Sequence, residues 1–202
     1  GRGSTLCSRV GRRRVNPVVE LWKEFLERES LRIEEAGDLL CRTLLKGKKV
    51  LIAGNGGSAT QASHFAAELA GNFAGADNPQ PAISLSSDTG LLTALSNDYG
   101  FSSIFFRQLR ALSSPGDLFI ALSTGGSSPN VIEAARYAKQ SGVAVLSLLG
   151  AKPSPLESLS DITVRVPTVE TPRIQEIHLY VLHTLAGFVE ERVKRGNCEQ
   201  AN

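Results

Sequence analysis

Residues 49–73 read KVLIAGNGGSATQASHFAAELAGNF, and this stretch decides the fold. Lys49 to Ala53 is a short apolar run bounded by lysines and glycine, the pattern of a strand buried on both faces. A glycine-rich turn follows, and then a helical pattern from about Ala59 to Asn72.

The same unit recurs along the chain. PAISLS (81–86) reads as a second strand. DLFIAL (117–122) reads as a third, followed by the loop STGGSSPN and a helix over 129–140 that Pro129 opens. VAVLSLLG (143–150) and ITVRV (162–166) supply two more strands, and a long helix closes the chain from about Pro172 to Lys194. Before the first strand, 17–46 carries two successive amphipathic patterns, Val18, Leu21, Trp22, Phe25 and Leu26, then Ile33, Ala36, Leu39, Leu40 and Leu44. Apolar strands alternating with helices give an α/β class, a parallel sheet covered on both faces. Ligands of such sheets bind beyond the carboxyl ends of the strands, where GNGGSA and STGGSSPN stand.

The 202 residues suit one domain, and 42% hydrophobic residues are enough for a substantial core. Twenty-two basic and 20 acidic residues leave a net charge of +2, which points to neither nucleic acid nor an anionic membrane. The first fourteen residues hold five arginines and no acid. They are expected to lie outside the fold, as a basic disordered or expression-derived start over 1–16, with a targeting segment or basic arm as the alternative. The domain is expected over 17–195, with a tail over 196–202. Cys7, Cys41 and Cys198 are odd in number and widely spaced, which fits a reducing cytoplasm. The most apolar stretch, Ile177 to Val189, is too short to span a bilayer.

Gly54, Gly56 and Ala59 satisfy the dinucleotide pattern G-x-G-x-x-[GA], but the acid expected about 20 residues later is missing: Glu68 comes too early and Asp88 too late. The other loop offers Ser123, Thr124, Ser127 and Ser128 at a helix start, where backbone N–H groups and the helix dipole can hold a phosphate monoester. A helix-capping loop is the alternative, although one hydroxyl suffices for a cap.

His64 and Glu68 are four residues apart and share a helix face, so they can converge on one metal ion or substrate atom. A solvated ion pair is the commoner outcome for such a pair. In TPRIQEIHLYVLHTL, Gln175 and His183 lie about 12 Å apart along the helix axis and about 80° out of register. They meet only if both side chains lean to one centre, or if they serve different subunits. His178, on another face, reads as a packed, satisfied histidine at an interface.

Four ordered motifs, AGNGGSATQASHFAAEL, LTALSNDYG, LSTGGSSPNV and TPRIQEIHLYVLHTL, make the chain resemble the phosphoheptose isomerases (sedoheptulose 7-phosphate isomerases) of the SIS, or sugar isomerase, fold. The resemblance covers roughly Trp22 to Glu190. It implies a three-layer fold with a five-stranded parallel sheet and N-terminal helices for oligomerisation, in a cytoplasmic homotetramer whose active sites lie at subunit interfaces. It further implies the conversion of sedoheptulose 7-phosphate to D-glycero-D-manno-heptose 7-phosphate, feeding nucleotide-heptose and surface-polysaccharide synthesis. His64, Glu68, Gln175 and His183 would be zinc ligands. Asn55, Gly56, Gly57, Glu68, Asn97, Asp98, Ser123, Thr124, Gly125, Ser128 and Gln175 would bind the substrate. Chemistry adds Glu68 as general base and His183 as general acid of an enediol mechanism.

Two positions depart from the family pattern: Asn72 stands where arginine is common, and Gly125 where the loop commonly has serine. Two other readings remain: a non-catalytic scaffold, such as a replication regulator that binds the DnaA initiator, and a sugar-phosphate sensor. The first has no need of the four-residue constellation, and the second would not keep the acid and base.

Overall fold

The computed structural model describes residues 3–71 and 79–200, with side chains over 17–71 and 79–192. Helix α1 (Gly3–Leu45) leads into strand β1 (Val50–Gly54) and helix α2 (Gly57–Ala70). Next come β2 (Ala82–Ser84), α3 (Thr89–Tyr99), a 3-10 turn (Phe101–Ser103) and α4 (Ile104–Leu112). The second half holds β3 (Leu118–Ser123), α5 (Pro129–Gln140), β4 (Ala144–Leu149), α6 (Leu156–Leu159), β5 (Ile162–Arg165) and α7 (Thr171–Gln200).

All five strands are parallel, in the order β2-β1-β3-β4-β5. Their side chains alternate between two cores. Val50, Ile52, Leu118, Ile120, Leu146 and Leu148 face the layer that also holds Phe25, Phe65 and Leu182 of α1, α2 and α7. Leu51, Ala53, Phe119, Ala121 and Val145 face the opposite layer, with Phe105, Val131 and Ala134 of α4 and α5. Because both faces are covered, each strand reads as an unbroken apolar run. The α/β class and the five-stranded parallel sheet are as the sequence predicts.

The N-terminal region corrects one expectation: 17–45 is a single continuous helix, not two. The two apolar patterns are joined by Glu27 to Arg32, which contain no glycine or proline, so nothing breaks the helix where its apolar face drifts. The surface pairs Arg28–Glu24 and Arg32–Glu35, at 2.9 and 2.7 Å, support that segment by a few tenths of a kcal/mol each. Trp22 of α1 meets Tyr180 of α7 edge to face, at 5.1 Å between ring centres. Among the described residues no helix is long and apolar enough to cross a membrane.

At the amino ends of the strands, the buried Asp117 accepts from the backbone N–H groups of Lys49 (3.0 Å) and Ser114 (2.7 Å) and pairs with the Lys49 ammonium at 2.7 Å. Burial alone would raise its pKa, but these donors and the Lys49 charge together hold the carboxyl below its usual range. A lowered folded pKa means that its stabilisation is present at neutral pH and is lost as pH falls below about 3.8, through the folded value. Asp117→Asn is expected to cost about 2 kcal/mol at pH 7 and to flatten the acid limb of stability in denaturant titrations at several pH values.

Candidate active site

The pairing of β1 with β3, which sets Gly54 beside Leu122, puts the two polar loops next to each other at the carboxyl ends of the sheet. Gly56 has φ of +55°, the left-handed region that glycine tolerates, and this lets the chain turn from β1 into α2 within two residues. Gly57 is needed for closeness: a Cβ there would lie 2.4 Å from Nε2 of Gln175, whose amide rests on the turn. Gln61 donates to the Gln175 carbonyl oxygen at 2.6 Å.

Further along, α2 and α7 bring together side chains 119 residues apart. Nε2 of His64 lies 2.8 Å from Nε2 of His183, and 3.4 Å from the Glu68 carboxylate. One ligand atom from each of His64, Glu68 and His183 falls within 4.8 Å of the others. Gln175 meets α2 at Gly57 and Gln61 and His183 meets it at His64, so the two helices advance side by side and residues 175 and 183 engage successive levels of α2.

Two imidazole nitrogens at 2.8 Å are at hydrogen-bonding distance, one ring donating as its N–H tautomer and the other accepting. The N, N, O donor set is one that zinc accepts. The residues present therefore fit a bound divalent ion.

The β3–α5 loop is open to solvent at Gly125 and Ser127 and half-buried at Thr124 and Ser128. Ser128 occupies the N-cap position of α5, yet its hydroxyl makes no capping hydrogen bond. The Ser123 hydroxyl is used within the loop, accepting from the Gly126 N–H at 3.0 Å. Capping therefore does not account for the hydroxyls. Asp88, too late in the sequence for a ribose-binding acid, caps α3 by accepting from the Leu91 N–H at 2.9 Å.

Asn97 and Asp98 stand exposed on α3, with the Asn97 amide donating to Asp98 at 2.9 Å. Asn72 lies outside the described residues. A residue the sequence reading passed over is Asn130, which exchanges two hydrogen bonds with Asn55. Its only signal in sequence is its place at the end of STGGSSPN, one residue after the proline that opens α5. A groove of about 700 Å³, lined among others by Pro17, Leu21, Glu24, Pro167 and Arg173, lies between α1 and the link into α7. It contains none of the chemically capable cluster, so chemistry rather than volume locates the site.

A family model described as SIS domain matches residues 15–150, and this is the class that the sheet and its loops define. The chain is 47% identical over 159 residues to the phosphoheptose isomerase of Campylobacter concisus, covering 79% of this chain and 84% of that one. It is 43% identical over 183 residues to the Campylobacter jejuni (serotype O:6) phosphoheptose isomerase, covering 88% and 98%. The structure of phosphoheptose isomerase from Neisseria gonorrhoeae superposes with a TM-score of 0.85 at 34% identity, over 92% of this chain and 99% of that one. The chain belongs to the phosphoheptose isomerase family and is an isomerase.

His178 corrects the expectation of a satisfied histidine. It is fully buried within the chain's own core, and among the described residues neither ring nitrogen has a hydrogen-bond partner. The Leu149 backbone lies close enough to favour the protonated ring slightly, without reaching hydrogen-bond geometry; burial dominates and pushes the pKa down from 6.5 to about 4. Between those values the unfolded chain binds the proton that the folded one refuses, so stability falls as pH drops from 6.5 to 4, by up to about 3 kcal/mol. Chemical denaturation at pH 7, 6, 5 and 4 is expected to show a shallower loss for His178→Leu than for the wild type; equal slopes would contradict this account.

Proposed function

We propose that the chain interconverts sedoheptulose 7-phosphate and D-glycero-D-manno-heptose 7-phosphate at a zinc site. The observation that carries the reading is the His64, Glu68 and His183 cluster, on helices flanking the glycine turn. Moving a carbonyl between adjacent carbons requires one group that carries a proton between the carbons and another that carries one between their oxygens. Glu68 takes the proton from C1 and returns it to C2, while His183 donates to O2 and accepts from O1. The atoms balance through an enediol, with no oxidant or reductant.

His64, Glu68, His183 and Gln175 are the residues that would hold zinc; because an atom tightly bound to the ion has no free lone pair for a proton, the ion's part at Glu68 and His183 is partly structural. A zinc ion beside the substrate oxygens would polarise the carbonyl and steady the negative charge of the enediolate, by several kcal/mol. Asn55, Gly56 and Gly57 of the glycine turn, with Gln175 against it, would hold the sugar. Ser123, Thr124, Gly125 and Ser128 at the start of α5 would hold the phosphate. Residues 17–195 form the catalytic domain in this reading.

Asn97 and Asp98 enter the site in a homotetramer with shared interfaces. What supports this is α3, which buries none of its residues and leaves Leu91 and Tyr99 exposed, with Phe101 just beyond it. An apolar helix surface of that kind calls for a second copy of the chain. A cytoplasmic location accords with this chemistry. The scaffold and sensor readings have no use for an acid, a base and a metal-binding set in one place.

With zinc supplied, purified protein is expected to convert sedoheptulose 7-phosphate to the aldose phosphate, followed by NMR. Glu68→Gln and His183→Gln should each lower kcat by about 10²- to 10⁴-fold, and a chelator should abolish turnover until zinc is restored. A wild type that does not turn over would refute the reading.

Gly125 offers a second test. Its φ is not positive, and a Cβ there would meet only the Ser127 hydroxyl, at 4.0 Å. The space for the serine common in the family is therefore open. Gly125→Ser is expected to lower KM by roughly 3- to 10-fold with kcat unchanged, the effect of one added hydrogen bond worth about 1 kcal/mol in a solvent-exposed loop. An unchanged KM would count against this loop as the phosphate site.

A further inference from the structure

The geometry points to Asn130 as a positioning residue that fixes which donor and which acceptor Asn55 presents to the sugar, an inference that rests on the isomerase reading above. Asn130 is 1% exposed, at the second position of α5. Its Nδ2 donates to Oδ1 of Asn55 at 2.9 Å, and its Oδ1 accepts from Nδ2 of Asn55 at 2.9 Å. The two residues are 75 positions apart, Asn55 in the β1–α2 turn and Asn130 in the first turn of α5.

Two amides paired in this way could in principle both be turned over, because oxygen and nitrogen exchange places. A third contact removes that freedom. The Val131 N–H, which can only donate, is shared between Oδ1 of Asn130 at 3.0 Å and the Ser128 carbonyl oxygen at 3.1 Å, and a turned-over Asn130 would set its NH2 against this donor. Asn130 must therefore keep its oxygen where it is, and Asn55 must answer with its nitrogen. A flip of Asn55 alone would set nitrogen against nitrogen and oxygen against oxygen, losing both hydrogen bonds. Each carboxamide has two N–H groups and two lone pairs, so Asn55 retains one donor and one acceptor of fixed identity for a ligand.

The sheet does not need this link. β1 and β3 are already held by their ladder as far as Gly54 and Leu122, and α5 is anchored by the buried Val131, Ala134, Ala135 and Ala138. What the pair adds lies beyond the strand ends: it ties the loop proposed for the sugar to the loop proposed for the phosphate and sets the polarity of one amide. Positioning of this kind acts on substrate affinity and alignment more than on the proton-transfer groups, which belong to α2 and α7.

The test is a double-mutant cycle of Asn55→Ala and Asn130→Ala on kcat/KM for sedoheptulose 7-phosphate, with bound zinc and thermal midpoint measured on every variant. Asn130→Asp is included because it keeps the acceptor for Val131 and for Nδ2 of Asn55 but sets a charged acceptor against Oδ1 of Asn55, so its kcat/KM should fall at least as far as that of Asn130→Ala. Each single alanine variant is expected to lose at least tenfold in kcat/KM, mainly through KM, with zinc content unchanged. The double variant should be no worse than the weaker single, because the two amides act as one unit. Asn130→Ala activity within twofold of the wild type, or losses that multiply in the double variant, would overturn the inference. Hydrogen exchange of the Asn55 side-chain amide, followed by NMR in the substrate-free protein, reads the constraint without turnover. It should be slow in the wild type and faster in Asn130→Ala. If the wild type does not isomerise the sugar, the functional reading fails by itself, while equal Asn55 exchange in both proteins would sink the role of Asn130.

Discussion

The ladder between β1 and β3 is the constraint on which the rest of the site depends. These strands are far apart in sequence, yet their pairing runs from Val50 and Leu118 to Gly54 and Leu122. It ends both strands at one level, so the glycine turn and the hydroxyl-rich loop emerge as neighbours, each entering a helix whose N-terminus faces the same end of the sheet. Parallel pairing in turn requires that both faces be covered. The helices meeting that requirement on one face are α1, α2 and α7. Covering the sheet thus brings α2 and α7 together, and with them His64, Glu68 and His183.

That dependence orders the contributions to the proposed chemistry. The apolar alternation of the strands sets the layers, and the glycines allow Gln175 to approach the turn. The polar groups need only lean inward from elements already fixed by packing. The Asn55–Asn130 pair extends the ladder's work past the last strand residues, where backbone pairing stops. At the opposite end, the Asp117–Lys49 contacts pin the entry of β3 to that of β1, so the central strands are held at both ends.

Much of this was legible in sequence. The five apolar runs stand out because a strand buried on both faces loses its polar alternation, and α2, α5 and α7 announce themselves by glycine or proline at their starts. The His64 and Glu68 spacing placed both on one helix face, although nothing in sequence fixed the approach of His183, which depends on how α7 packs. What stayed hidden has physical reasons. Helix α3 buries no residue of its own, so its apolar positions follow no core-facing period, and α4 is only nine residues long. The continuity of α1 was masked by a drift of its apolar face, and the strand order by the freedom of crossovers to place each strand at either side. His178 looked like a residue with a partner because buried histidines usually have one.

The central claim is that one end of this sheet holds a sugar phosphate between Glu68 and His183 with zinc among His64, Glu68, Gln175 and His183. A crystal structure of the protein grown with zinc and sedoheptulose 7-phosphate, with data collected across the zinc absorption edge, tests it most directly. The account expects an anomalous peak between His64 and His183, the phosphate at Ser123 to Ser128, and C1 and C2 of the sugar beside Glu68 and His183. Zinc bound elsewhere, or the sugar phosphate seated away from the two loops, would contradict it.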